Sequence, residues 1–233
     1  MFQAIHYDRL AKEYYIRDDK FGWKKEKYYP KYYYLDENGD IPTLDGNYCR
    51  QINRVSDWYD PNLLEKDVDK LTRYLVDHYY EDDNPPSFQN IGYLDIETEI
   101  VGALTTETIK AAPMGITSIA LFDQSNNKKY CWILDKEQNI QITSQDNVEV
   151  IPCKDERELL ELFLDKWEEC EFTIVIGWNS GFFDIPVLYY RIIKILGYDN
   201  ALRLSPIKKI IINEMDEEQP VVLGGLNHLD YML

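Results

Sequence analysis

With 233 residues, 45% hydrophobic and 14% aromatic, the chain has room and apolar material for one large domain or two small ones. Its 25 basic and 42 acidic residues give a formal charge of −17, the wrong sign for a free-standing nucleic-acid binder, because phosphate neutralisation by Lys and Arg supplies most non-specific affinity. No run approaches the ~18 apolar residues that would span a bilayer, residues 1–6 do not read as a signal peptide, and Cys49, Cys131, Cys153 and Cys170 lack the spacing and His partners of a zinc site and read as reduced thiols of a cytosol-like compartment.

Residues 1 to about 55 read as β-structure. Tyr14-Tyr15-Ile16 is a strand followed by a turn at Arg17–Lys20, and Tyr32-Tyr33-Tyr34-Leu35 is another. Glu37-Asn38-Gly39-Asp40 and Leu44-Asp45-Gly46-Asn47 carry turn chemistry. Lys24, Lys25, Lys27 and Lys31 form a dense basic patch, read either as a solvated edge strand guarded by Lys or as a contact to nucleic-acid backbone. Most of the 19 Tyr residues suit amphipathic strands with a wet hydroxyl, and some could stack on bases. A helix is expected over 61–80, started by Pro61 and Asn62 with Leu63, Leu64, Val68, Leu71 and Leu75 inward. The acidic, Pro-rich segment 81–87 then breaks the pattern and sets an expected boundary between a domain at 1–86 and one at 87–233.

Beyond the boundary, strands are expected at 92–98, 116–122, 129–134 and 148–151, with loop at Thr105–Lys110. A helix over 156–169 has Asp155 as its cap, Glu158 completing a capping box, and Leu159, Leu160, Phe163 and Trp167 as its apolar stripe. A strand at 172–178 and a helix at about 185–197 follow, with Val187, Leu188, Ile192, Ile195 and Leu196 inward. Tyr198 to Pro206 reads as a connector, and Ile210–Ile212 with Val221–Leu223 as a hairpin whose acidic tip, Asn213–Glu218, is expected to be mobile and dispensable.

Two stretches carry chemistry. In Tyr93-Leu94-Asp95-Ile96-Glu97-Thr98 the two acids are two apart, so on a strand both carboxylates leave the same face. Side by side they repel, unless a divalent cation reverses the sign; they are either acids on a solvated face or ligands for a hard metal ion. In Asn179-Ser180-Gly181-Phe182-Phe183-Asp184-Ile185-Pro186 a turn opens a helix, and Pro186 lies in its first turn, where a missing N–H does no harm. Asp184 is either that helix's N-cap or a third acid of the same site. Phe183 either packs under the helix or stacks on a base.

D-I-E-T on a strand followed by N-x-x-x-F-D at a strand-to-helix turn resembles the first two exonuclease motifs of family B DNA polymerases, most narrowly the replicative polymerases of T-even-type bacteriophages. Gly177-Trp178-Asn179, Tyr190-Arg191-Ile192, Arg203-Leu204-Ser205-Pro206 and Leu229-Asp230-Tyr231 are also similar, as is Tyr48-Cys49-Arg50-Gln51-Ile52-Asn53 upstream. The resemblance covers essentially all of this chain, though not all of the family's chain. It implies a ribonuclease-H-like α/β exonuclease domain preceded by a smaller, mostly-β N-terminal domain. It also implies 3′→5′ proofreading hydrolysis of DNA in the host-cell cytoplasm, beside the remainder of a polymerase chain. Asp95, Glu97 and Asp184 are the expected catalytic residues and ligands of two Mg²⁺ or Mn²⁺ ions, and Thr98, Asn179 and Phe183 the expected contacts to the single-stranded 3′ end of a primer-template. The hairpin at 210–223 matches the position of a strand-separating hairpin.

One departure matters. The family's third motif, Y-x-x-x-D, is not found after Asp184: Tyr189, Tyr190 and Tyr198 fall on Ile193, Lys194 and Leu202, one short of Arg203. These residues alone are therefore expected to be weakly active or inactive, with Asp230 the remaining acid that could substitute. The alternative is a non-catalytic module that binds DNA or a polymerase partner.

Overall fold

The computed structural model describes residues 2–81, 89–99, 102–141, 143–213 and 215–232. The chain divides into two compact units, Met1–Pro86 and Ser87–Leu233.

In the first unit, β1 (Phe2–Asp8), β2 (Glu13–Asp18) and β3 (Gly22–Glu26) form an antiparallel sheet with β3 at its edge. The lysine patch sits on and after that edge strand, where Lys25 pairs with Glu13 at 3.3 Å. β4 (Tyr32–Leu35), β5 (Ile41–Pro42), β6 (Tyr48–Ile52) and β7 (Leu63–Leu64) make a second sheet in the order β5-β6-β4-β7. The expected helix over 61–80 is corrected here: α1 spans only Lys70–Tyr79. Leu63 and Leu64 instead pair with Tyr34 and Tyr33, and Leu63 is buried. Glu65 takes a left-handed φ of 50°, and Arg73 donates to its carbonyl and to that of Val68, holding the segment out of helix. Asp69 caps α1 by accepting from Leu71 N and Thr72 N at 2.8 and 3.1 Å. The Tyr load explains this unit's core: Tyr74 on α1 stacks on Tyr14 at 5.2 Å, and Tyr28 meets Tyr74 edge-on at 5.1 Å.

The second unit is built on a mixed seven-stranded sheet. Its elements are β8 (Ile91–Thr98), α2 (Thr106–Ala111), β9 (Ile116–Asp123), β10 (Lys128–Leu134), β11 (Thr143–Gln145), β12 (Val148–Cys153), α3 (Glu156–Cys170), β13 (Ile174–Gly177), α4 (Asp184–Leu196), α5 (Tyr198–Ala201), β14 (Ile210–Ile212), β15 (Val221–Leu223) and β16 (Asn227–Asp230). The strand order is β11-β12-β10-β9-β8-β13-β16, with β13 parallel to both β8 and β16. β14 and β15 form the expected hairpin. Two expectations fail locally. Thr105–Lys110 is not loop, because Thr105 Oγ1 accepts from Thr108 N at 3.2 Å and starts α2. The connector at 198–206 contains α5 and a 3₁₀ turn, Leu202–Leu204, whose Leu204 carbonyl accepts from buried Trp167 Nε1.

The core lies where α3 and α4 cover one face of the sheet: Leu159, Leu160, Phe163 and Leu164 of α3 and Ile185, Leu188 and Ile192 of α4 meet Leu94, Ile96, Ile119, Leu121 and Trp132. The α3 cap is a shifted box. Asp155 Oδ1 accepts from Glu158 N at 2.9 Å, while Glu158 Oε2 accepts from Lys154 N at 2.8 Å rather than from the cap residue's own amide. All four cysteines are free thiols, and burial pushes Cys153 up to about 11 and Cys170 up to about 12. No helix among the described residues is long and apolar enough to cross a membrane.

Candidate active site

Alternation along β8 sorts its side chains. Leu94 and Ile96 enter the core beneath α3 and α4, and Tyr93, Asp95 and Glu97 are exposed on the other face. Gln124 N donates to Ile91 O, so the amides of alternate residues 91, 93, 95 and 97 face β9 and those of 92, 94 and 96 face β13. Pairing with β13 stops at Tyr93–Ile176. The Ile96 amide lies beyond that stop, and Asp184 Oδ1 accepts from it at 2.9 Å.

Asp184 is therefore not the helix cap. It is the first residue of α4; the cap position is Phe183, which makes no side-chain capping bond. The turn that delivers it is tight. A Cβ on Gly177 would lie 2.5 Å from the Ser180 side chain and 3.1 Å from Leu94 O, so only glycine lets the chain reverse this close to β8. Asn179 takes a φ of 56°, and its carbonyl accepts from Phe183 N at 2.9 Å.

The Asp184 carboxyl is 2% exposed, and burial pushes its pKa up to about 7; the neighbouring Asp95 and, more weakly, Asp230 raise it further, against the Ile96 N–H, which lowers it. Such a carboxyl is short of positive charge. The donors here, carboxylate oxygens without thiol or free imidazole, suit a hard divalent ion. Among the described residues, no three His, Cys, Asp or Glu side chains are gathered closely enough to hold an ion as they stand. Asp95 lies near enough to Asp184 for its charge to raise the Asp184 pKa, and Glu97 leaves the same strand face as Asp95.

The other expected residues lie on or beside β8, β13 and α4. Thr98 sits at a register shift that ends β8, Asn179 in the turn after β13, and Phe183 half-buried against the core, as the packing alternative has it. On the exposed face of the sheet a cavity of about 480 Å³ is lined by Asp95 with Tyr93, Phe122, Tyr130, Trp178 and Tyr231. Tyr93 stacks on Phe122 at 5.7 Å, and Trp178 and Tyr231 are largely exposed.

Sequence reasoning missed β16. Its four residues, Asn227-His228-Leu229-Asp230, are too few for alternation to register. Asp230 is not the free acid that the sequence left open: Oδ1 accepts from Asn179 N and Met232 N, and Oδ2 from Gly181 N.

Residues 53–232 match the DNA polymerase family B, exonuclease domain family. The chain belongs to that family. It is 37% identical over 91 residues to the DNA-directed DNA polymerase of Escherichia phage RB69, a match covering 37% of this chain and 10% of the relative. It is 33% identical over 91 residues to the DNA-directed DNA polymerase of Enterobacteria phage T4, again 37% and 10%. It is also 30% identical over 132 residues to DNA polymerase 1 of Sulfurisphaera ohwakuensis, covering 55% of this chain and 15% of the relative. The matches thus span a small part of each relative's length. This membership agrees with the mixed α/β architecture and with the motif resemblance at β8 and at the start of α4.

Proposed function

We propose that residues 87–233 are a ribonuclease-H-like 3′→5′ proofreading exonuclease domain, residues 1–86 being its N-terminal companion, within a DNA-directed DNA polymerase that replicates DNA in the host-cell cytoplasm. The observation that carries this reading is the approach of Asp184, on α4, to the β8 segment bearing Asp95 and Glu97, inside a family B exonuclease match.

Asp95, Glu97 and Asp184 would hold Mg²⁺ or Mn²⁺, two ions of which would supply a water of lowered pKa as nucleophile and stabilise charge on the phosphate. The chain's own residues do the rest. Asp184, buried and beside Asp95, has its pKa pushed up to about 7, so without a cation its carboxyl is only partly ionised at neutral pH, and a bound cation would draw it into the charged form. Exposed Tyr93, Trp178 and Tyr231 offer aromatic faces to unstacked bases at the 3′ end. Thr98 follows Glu97 at the end of β8 and Phe183 precedes Asp184; with Asn179 of the turn they would orient the terminal nucleotide. Water oxygen bonds to the terminal phosphorus, the P–O3′ bond breaks, and a proton passes to the leaving oxygen, releasing a 5′-mononucleotide and a new 3′-hydroxyl. No imidazole is needed as base; His228, the one histidine within residues 87–233, has both ring nitrogens engaged.

Three acids fix two ions loosely, leaving water and phosphate oxygens to fill most of the near-ideal octahedral shells that Mg²⁺ demands. These residues acting alone are thus a slow nuclease, and further ligands and most DNA affinity come from other polypeptide. The test is a 5′-labelled single-stranded oligonucleotide at high protein concentration with Mn²⁺. Slow shortening from the 3′ end, one nucleotide at a time and abolished in Asp95→Ala, is expected. Internal cutting, or equal trimming by the variant, contradicts the reading. A second reading, a non-catalytic DNA- or polymerase-binding module, is favoured by the lack of a ready three-ligand cluster among the described residues; Mn²⁺ binding without any trimming would select it.

A further inference from the structure

The strand that the sequence hid holds the loop that delivers Asp184. β16 runs parallel to β13 in the register Ile174–Asn227 to Gly177–Asp230, and Tyr231 N donates to Gly177 O at 2.9 Å. Asp230 is thereby carried to the point where the chain leaves β13. Its Oδ1 accepts from Asn179 N at 2.8 Å and Met232 N at 2.9 Å, and its Oδ2 from Gly181 N at 2.8 Å. Two of these three amides belong to the turn between β13 and α4, one on each side of fully buried Ser180.

Ser180 is fixed independently. Its Oγ lies 2.7 Å from His228 Nε2, and His228 Nδ1 lies 2.9 Å from Gln219 Nε2. With Gln219 Nε2 as the donor to Nδ1, the neutral ring carries its proton on Nε2, facing Ser180 Oγ. Burial lowers the His228 pKa, in keeping with that neutral ring. Gly181 completes the clasp. A Cβ there would stand 2.8 Å from Glu218 O and 3.3 Å from Asp230 Oδ2, so the return limb of the β14–β15 hairpin seats directly on the turn. The expectation of a mobile tip at Asn213–Glu218, dispensable to folding, meets this contact at Glu218; Glu214 lies outside the described residues. From the clasped turn, Ser180 O accepts from Ile185 N at 3.0 Å in the first turn of α4, one residue past Asp184.

We propose that Asp230 is a positioning residue for the exonuclease site: its carboxylate gathers the Asn179 and Gly181 amides, sets the turn, and so fixes Asp184 against the Ile96 amide. The β16–hairpin clasp, with the Gln219–His228–Ser180 chain as its second hold, makes the downstream hairpin part of the site's support. The inference deepens the proposed function and rests on it for its catalytic meaning, while its geometric content stands apart.

The experiment separates the two. Amide hydrogen exchange is measured on the whole chain, metal-free, for wild type, Asp230→Ala and Asp230→Asn. The isosteric Asn keeps one accepting oxygen and turns an NH₂ towards the Gly181 amide. Exchange at Ile96, which Asp230 does not touch, is expected to rise about 10-fold or more in both variants, with the amides of β9 and β10 unchanged. Mn²⁺ affinity is expected to fall about 10-fold, the loss typical of groups that orient a ligand. Wild-type exchange at Ile96 while Asn179 and Gly181 lose protection would overturn the proposal. Should Asp230→Ala fail to fold, Asp230→Asn decides alone. If Ile96 responds as expected but wild type binds no Mn²⁺, the positioning stands and the metal reading falls.

Discussion

Asp184 is the residue on which burial, charge and hydrogen bonding act against one another. Its folded-state pKa, raised from 3.8 to about 7, means that the folded chain holds this proton more tightly than the unfolded chain does. The corresponding stability is fully present below the unfolded value and is lost as pH rises through about 7. In the metal-free protein the thermal midpoint should therefore decline between pH 5 and pH 8, and Asp184→Asn should flatten that decline. Thermal melts of both chains in chelator at several pH values measure the difference; matching profiles would place the cause elsewhere. Part of this residue was legible in the sequence. The N-x-x-x-F-D spacing singled it out, but taken alone its cap reading was the stronger, because one residue decides whether an Asp caps a helix or begins it. The cap reading falls because Asp184 is the first residue of α4 and accepts from an amide 88 residues away in sequence, invisible to local pattern.

At the scale of elements, legibility followed the strength of the local signal. α3 carries a cap, a first-turn Glu and a continuous apolar stripe, and it forms over Glu156–Cys170. Asp155→Ala removes the acceptor for Glu158 N and should cost about 1 kcal/mol, read as a midpoint lower by ~2–4 °C in a thermal melt; an unchanged midpoint would mean that the cap contributes nothing. α1 was misjudged at its start, since Leu63 and Leu64 fit a helical stripe by spacing but are claimed by β4 through strand pairing. Tertiary pairing overrode periodicity there, aided by Arg73 taking carbonyls that a helix would have used. β11 and β16 went unseen for a related reason. Both are short, and each exists because a neighbour offers an edge. The element most needed to hold the site was thus among the least visible.

At the scale of the molecule, the charge of −17 bears on both metal and DNA. It draws cations diffusely and repels phosphate, most strongly at low salt, where the Debye length is long. A specific ion site must be distinguished from that background, so binding is best measured at ~0.15 M salt, where exposed charges more than about 8 Å apart are largely screened. If acids on β8 and at the start of α4 form one divalent-ion site, titration of Mn²⁺ followed by electron paramagnetic resonance, in wild type, Asp95→Ala, Asp184→Ala and Glu97→Gln, will show it. Weak saturable binding is expected in wild type, its loss in both alanine variants, and affinity about 10-fold lower in Glu97→Gln. Equal binding by all four chains would mean that these acids hold no ion.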